Sequence, residues 1–127
     1  MNTSIVKVTG NLTTDPELRF TSGDSKAVTD VKVAVNLRAK TDQGEWLDAG
    51  TQYYTAPVWG REAENVAELR KGDRVHVIGE LQYRAWVDND GAPHFERIIR
   101  NATVAPSLEY ATVQITRNPK SANSESA

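Results

Sequence analysis

Apolar residues alternate with polar ones through most of this chain, and only one stretch has the spacing of a helix. The clearest alternation runs through residues 27–37, where Val31, Val33 and Val35 are separated by other residue types. A period of two predicts a β-strand with one buried face. One short helix among such strands excludes a doubly wound α/β sheet, in which helices connect the parallel strands.

The helical pattern covers residues 61–71. Glutamates in its first turn and Arg70 and Lys71 in its last turn suit the helix dipole, and Gly72 follows where a C′ glycine is expected. A helix of about ten residues is marginal alone, so we expect it to pack on the sheet. The residues on its apolar face are Ala63, Val66, Ala67 and Leu69.

The other segments predict strands joined by turns. Pro57 should lie at a sheet edge or a bulge, and Gly79 predicts a bulge or sharp curvature. The predicted strands cover residues 4–9, 18–21, 27–37, 51–59, 74–87 and 95–104, with a polar hairpin loop over residues 38–50 and a tight hairpin turn over residues 88–91.

This order of elements predicts an all-β fold: a five-stranded Greek-key OB-fold barrel with one short helix between strands and long β-hairpin loops. An immunoglobulin-type sandwich does not account for the central helix. We expect the domain to span residues 1–110, followed by a short disordered tail over residues 111–127.

Composition limits the chemistry. The 127 residues include no cysteine, so disulfides and thiolate metal sites are excluded, and the two histidines have no metal-site spacing. No apolar run is long enough to span a membrane, which favours a cytoplasmic protein. No hydrolase motif or phosphate-binding glycine loop is present, so we expect no enzyme and no cofactor. The net charge of −2 argues mildly against indiscriminate duplex binding.

Aromatic and basic side chains concentrate between residues 53 and 86. This stretch holds five of the nine aromatic residues of the chain, on both extended segments that flank the helix. Tyr53 and Tyr54 are adjacent, so a regular strand points them to opposite faces. Aromatic rings interleaved with arginines suit a surface that stacks bases and contacts phosphates.

Five short motifs in order resemble the bacterial and phage single-stranded DNA-binding protein family, over roughly residues 4–105. They are Val-Thr-Gly-Asn-Leu (8–12), Asp-Pro-Glu-Leu-Arg-Phe (15–20), Val-Trp-Gly-Arg-Glu-Ala-Glu-Asn-Val-Ala (58–67), Leu-Arg-Lys-Gly (69–72) and Val-His-Val-Ile-Gly-Glu-Leu (75–81). The resemblance implies an OB-fold, no enzymatic activity, and a homotetramer that wraps single strands.

Matching positions of the motifs imply a binding site. Tyr53, Trp59 and Trp86 match base-stacking aromatics of the family. The matching basic residues are Arg61, Arg70, Lys71 and Arg84. His94 lies beside the predicted hairpin turn and could contact phosphate weakly.

Three features depart from the family pattern. Arg38 and Ala39 occupy a region where the family often has a tryptophan, and Trp46 comes later. Arg38 and Trp46 are included among the candidate DNA-binding residues, although the question whether Trp46 binds or is pinned under the loop stays open. Pro57 replaces a β-branched residue. The C-terminal residues are Ser-Ala-Asn-Ser-Glu-Ser-Ala, without the acidic tip that recruits partners, so we do not expect recruitment through such a tip.

The leading hypothesis is sequence-independent binding of single-stranded DNA in replication, recombination and repair. The alternative is an OB-fold protein-interaction subunit of a replication complex that no longer binds nucleic acid. Replacing Trp59 and Trp86 with alanine separates the two hypotheses, because only the first requires these rings for DNA affinity.

Overall fold

A computed structural model describes residues 4–119. Their elements, in chain order, are β1 (Ser4–Leu12), β2 (Arg19–Phe20), β3 (Ala27–Lys40), β4 (Trp46–Trp59), α1 (Gly60–Val66), β5 (Arg74–Val87) and β6 (Pro93–Pro106). The predicted all-β fold with one short helix is confirmed. The C-terminal part of the predicted tail, residues 120–127, lies outside the described residues, so the tail and domain boundary stay predictions.

Five long strands close into a barrel. The sheet runs in the order β1-β5-β6-β4-β3, with the two-residue β2 beyond β3, and β1 closes it by also pairing with β3. The β4–β6 junction is parallel and joins only Tyr54 to Arg97 and Thr55 to Ile98. The remaining pairs of neighbours are antiparallel. This is the closed Greek-key barrel that the sequence predicts.

β1 bends so that it pairs with β5 on one side and with β3 on the other. It pairs with β5 up to Asn11 and then with β3 through Asn11 and Leu12, so it extends beyond the predicted end at Gly10. A Cβ atom at Gly10 would lie 2.3 Å from the carbonyl oxygen of Ala34. Glycine is needed here because the two backbones cross without room for a side chain.

The core consists mainly of valines from the alternating strands. Val31 and Val33 of β3 and Val75 and Val77 of β5 are fully buried. Helix α1 covers this core with Ala63 and Val66. Burial of α1 against β3 and β4 explains how a helix of seven residues persists, since its own hydrogen bonds would not hold it.

The helix is shorter than the sequence predicts. It ends at Val66, and residues 67–73 form turns in which the backbone N–H of Arg70 donates to the Asp73 carboxylate. The N–H of Gly72 donates to the carbonyl of Leu12 rather than capping the helix. The prediction that Arg70 and Lys71 lie in the last helical turn is therefore wrong: the chain leaves the helix early to reach β5.

The predicted loop over residues 38–50 is also wrong in extent. β3 continues to Lys40 and β4 begins at Trp46, so the turn spans only residues 41–45. Cross-strand pairing extends both strands even though their side chains are polar and exposed. Pro57 lies where β4 pairs with β3 alone, since β6 contacts β4 only at residues 54 and 55, which confirms its predicted edge position.

Gly79 lies opposite a bulge in β6, as predicted. Between the pairs Ile78–Thr103 and Glu80–Arg100, β5 advances two residues and β6 advances three. The extra residue is accommodated at Asn101, whose φ is +52°. A Cβ at Gly79 would lie 2.6 Å from the carbonyl oxygen of Arg100.

Candidate nucleic-acid interface

The outer face of β4 presents two of the predicted stacking residues. Tyr53 and Trp59 are 62% and 52% exposed, whereas Ala56 and Val58 between them are buried in the core. Tyr54 is half-buried against the core, and its hydroxyl donates to Gln52 Oε1 at 2.9 Å. The two adjacent tyrosines thus divide as the sequence predicts, with Tyr53 outward.

A bulge in β4 brings a third aromatic residue to the same face. Between the pairs Asn36–Thr51 and Arg38–Asp48, β3 advances two residues while β4 advances three, and Gly50 there has φ +102°. Trp46 lies seven positions from Tyr53, so in a regular strand without a bulge it would point to the opposite face. The bulge reverses this alternation, so Trp46 shares the outer face with Tyr53 and Trp59.

These three rings form an aromatic line along β4. At a rise of about 3.3 Å per residue, the line from Trp46 to Trp59 is on the order of 40 Å long. Trp46 is 57% exposed and is not pinned under a loop. The sequence left open whether Trp46 lies under the loop or on the surface, and the structure places it on the surface at the start of β4.

Basic residues of β3 flank the aromatic line. Arg38 and Lys40 lie beside Trp46, with the guanidinium carbon and the ammonium nitrogen 6.0 and 5.9 Å from its ring centroid. Lys32 is exposed and pairs in register with Thr55, between Tyr53 and Trp59. The outer face therefore carries local positive charge although the chain is net acidic.

Lys32 and Lys40 are absent from the residues that the sequence assigned to the site. The alternation of β3 already predicts that Lys32 points away from the core. Its register against β4, which places it beside the aromatic line, is fixed only by the pairing of two strands. Asp30 lies on the same face, where Arg19 neutralises it in an ion pair of 3.3 Å.

The β5–β6 hairpin carries the third predicted stacking residue. Trp86 pairs in register with His94, and their rings are stacked at 5.3 Å with 14° between the planes. The Arg84 guanidinium lies 4.6 Å from the Trp86 ring centroid. Trp86 is 39% exposed, so its ring is held by these neighbours while still reaching solvent.

His94 links this ring to the hairpin turn. Its Nε2 lies 2.7 Å from Asp88 Oδ2. This hydrogen bond, helped by the backbone N–H of Ala92, lowers the pKa of the Asp88 carboxyl below its ordinary value. The same carboxylate accepts bonds from the N–H groups of Asp90 and Ala92, so the turn that supports Trp86 is tied together.

A polar network joins the hairpin to the aromatic line. Thr55 Oγ1 donates to Glu96 Oε2 at 2.8 Å, and Arg84 Nη1 donates to Glu96 Oε1 at 3.2 Å. Because Thr55 lies on the outer face of β4, this network makes the Trp86 side of the hairpin continuous with that face.

The structure does not bring all the predicted basic residues together. Arg61 is exposed at the start of α1, next to Trp59. Arg70 directs its guanidinium to the carbonyls of Ala67 and Leu69, so it caps the end of the helix. Lys71 has an exposed side chain, and its backbone N–H donates to Asp15. Arg70 and Lys71 thus belong to the turn after the helix rather than to the aromatic line.

Within residues 4–119, no helix is long and apolar enough to cross a membrane. In the same part of the chain, no three His, Cys, Asp or Glu side chains cluster as metal ligands would.

Comparisons with known proteins agree with this arrangement. The model of the single-strand binding protein family matches residues 1–106. The chain is 40% identical over 120 residues to the single-stranded DNA-binding protein of Paenarthrobacter aurescens, which covers 93% of this chain and 70% of that protein. It is 38% identical over 118 residues to the protein of that name from Mycobacterium leprae (strain TN), covering 91% and 70%.

A solved structure has the same fold. The crystal structure of the small single-stranded DNA-binding protein from Streptomyces coelicolor superposes with a TM-score of 0.70 at 27% identity. The alignment covers 85% of this chain and 97% of that one.

Proposed function

We propose that this chain, which belongs to the single-strand binding protein family, binds single-stranded DNA without sequence preference and without catalysis. The aromatic line on the outer face of β4 carries the proposal. Three exposed rings spread along one strand, beside basic residues, match the needs of a flexible polyanion with unstacked bases. Duplex DNA hides its base faces, so the same surface selects single strands.

Each part of the surface has a physical role in this proposal. Bases stack on Trp46, Tyr53 and Trp59, at about 1–3 kcal/mol for each ring. Lys32 and Arg38 contact phosphates and release condensed counterions. Stacking contacts the faces of the bases rather than their edges, which leaves little basis for reading sequence.

The hairpin extends the path of the strand. Trp86 adds a further ring, and Arg84 beside it supplies positive charge. Arg61, next to Trp59, is placed to contact a phosphate at the other end of the aromatic line. The polar network through Thr55 and Glu96 holds the hairpin and β4 in one arrangement, so little ordering remains when DNA binds.

Quenching of tryptophan fluorescence by oligo-dT tests the proposal. The fluorescence anisotropy of a labelled oligo-dT gives a second, independent measure of binding. Trp59→Ala should weaken binding about 5- to 140-fold, the equivalent of one stacked base. Tyr110→Ala is the matched control, because Tyr110 is 78% exposed but packs near Arg74, away from the aromatic line. If Trp59→Ala and Tyr110→Ala bind equally well, the protein-interaction alternative gains support instead.

We also propose a homotetramer that acts at the nucleoid in replication, recombination and repair, as the family resemblance implies. The outer edge of β1 supports self-association, because none of the strands in residues 4–119 pairs with it along Ser4–Thr9. Such an edge is a template for another strand. Ile5 and Ile78, 69% and 45% exposed on neighbouring strands, add an apolar surface beside it.

Sedimentation equilibrium of the pure protein tests this assembly. A mass four times that of the chain is expected, and Ile5→Asp should lower it by placing a charge at the edge. A monomer at micromolar concentration would refute the tetramer while leaving DNA binding untouched.

A further inference from the structure

Within residues 4–119, the β5–β6 hairpin extends beyond the barrel with two free faces. In this part of the chain β1 pairs with β5 as far as Leu81, and β4 pairs with β6 from Arg97. Between these points the two strands pair with each other in unbroken register, Tyr83 with Arg97 and Ala85 with Phe95. Residues that are directly opposite share a face, so the hairpin is a two-sided ribbon.

One side is the Trp86 face, already described. The other, which we term the Tyr83 face, consists of Tyr83, Ala85, Val87, Pro93, Phe95 and Arg97. The alternation that buries Ile99 in the core leads along β6 to Phe95, where no other element of residues 4–119 covers it. Tyr83 and Phe95 are 66% and 72% exposed. Two large rings left in water on one surface indicate a binding role.

The placement of these rings suits bases. Tyr83 and Phe95 are diagonal neighbours across the ribbon, about 7–8 Å apart. This is about twice the 3.4 Å spacing of stacked bases. The residue opposite Phe95 is Ala85, whose methyl group leaves the ring accessible. Aromatic residues on neighbouring strands stack two or three bases in the same way in RNA-binding sheets.

The charge on the Tyr83 face points to a polyanion. Arg97 lies opposite Tyr83, with its guanidinium carbon 5.9 Å from the Tyr54 ring centroid. None of the six residues of this face is acidic. By contrast, the Trp86 face includes Glu96.

We infer that the Tyr83 face is a second base-stacking surface, so that one single strand passes over both sides of the hairpin. The inference rests on the proposed function, since it extends the path of the same DNA. Tyr83 and Phe95 supply the rings, and Arg97 contacts the phosphate between the hairpin and the barrel.

Anisotropy titration of labelled oligo-dT against the full chain tests the inference, with Tyr83→Ala, Phe95→Ala and Val87→Ala. Each aromatic substitution should lower affinity about 5- to 140-fold. Val87→Ala is the matched control, because Val87 is on the same face and is 67% exposed but cannot stack. Tyr83→Phe and Phe95→Tyr should restore binding, since they keep the ring.

The outcomes separate the two proposals. Weakened binding in Tyr83→Ala and Phe95→Ala supports stacking, provided that Val87→Ala, Tyr83→Phe and Phe95→Tyr bind as the wild type does. If the wild type binds and Trp86→Ala weakens it while Tyr83→Ala and Phe95→Ala do not, the inference is overturned and the proposed function stands. If Tyr83→Ala, Phe95→Ala and Val87→Ala keep the DNA affinity of the wild type but self-associate less, the inference is overturned in favour of a protein interface. A wild type that binds no DNA refutes the proposed function itself.

Discussion

Gly50→Val should move Trp46 off the binding surface without removing it. The bulge of β4 at Gly50, whose φ is +102°, places Trp46 on the same face as Tyr53 and Trp59. A β-branched side chain disfavours a positive φ, so the substitution should straighten β4 while Trp46 stays seven positions from Tyr53. Regular alternation over an odd number of positions turns Trp46 to the other side of the ribbon. The substitution should therefore act on DNA binding as if the ring itself were missing.

The magnitude follows from the loss of one stacked base. A stacking ring contributes about 1–3 kcal/mol, so Gly50→Val should weaken affinity about 5- to 140-fold. Trp46→Ala should lose the same amount. Because both changes remove one interaction, the double variant should be no weaker than either single variant.

Anisotropy with labelled oligo-dT measures the affinity, and far-ultraviolet circular dichroism confirms that the barrel folds. Gly50 lies in an exposed part of the β3–β4 hairpin, away from the core, so Gly50→Val should leave the melting temperature nearly unchanged. Wild-type affinity in Gly50→Val, together with weakened binding by Trp46→Ala, would refute the assignment of faces. Additive losses in the double variant would refute it as well.

Three further predictions follow from individual contacts. Gly79→Ala should lower the free energy of unfolding by about 1–3 kcal/mol and the melting temperature by on the order of 5–20 °C in thermal denaturation, because its Cβ meets the Arg100 carbonyl. Lys32→Ala should make the slope of log affinity against log salt shallower by about 0.7, one phosphate contact, in titrations at several salt concentrations; an unchanged slope would place Lys32 off the DNA path. His94→Ala should raise the Asp88 pKa toward its ordinary value of 3.8, as measured by carbon-13 NMR titration.

The direction of the Asp88 pKa shift determines the pH range in which this carboxylate stabilises the hairpin. The folded-state pKa lies below the unfolded value, so the bonds of this carboxylate stabilise the hairpin at pH values above 3.8. This contribution is lost as the pH falls through the folded-state pKa. An unchanged Asp88 titration in His94→Ala would show that the N–H groups of the turn, and not the histidine, hold the pKa down.

The sequence predicts the parts of the fold that depend on single strands. The alternation around Val31 and Val33 is visible because one face of β3 packs on the core. The opposite orientations of Tyr53 and Tyr54 follow from the same rule, and the family resemblance selects Tyr53 as the outward residue. The extension of β3 and β4 into residues 38–50 is not visible, because these residues are polar and exposed, and only pairing between the two strands makes them extended. The helix was predicted too long because the spacing of Ala67 and Leu69 suits a turn packed on the barrel as well as a helix.

The binding surface is predictable to the same degree. The family resemblance points to Tyr53, Trp59 and Trp86, each on an exposed position of a strand. It gives no information on the face of Trp46, because a bulge changes the alternation and a single sequence does not fix the register of two strands. Lys32 was missed for the same reason: its outward position was evident but its neighbours were not.

Closure of the barrel by β1 has a consequence for how the chain is made. Ser4 pairs with Leu81 and Asn11 with Arg74, so the partner of β1 is synthesised roughly 60–80 residues later. At about 5–20 residues per second, β1 emerges on the order of 3–15 s before β5 exists. During that interval its backbone and the apolar side chains of Val6 and Val8 are uncovered. The first strand of this barrel is therefore the segment for which a nascent chain has most need of a chaperone.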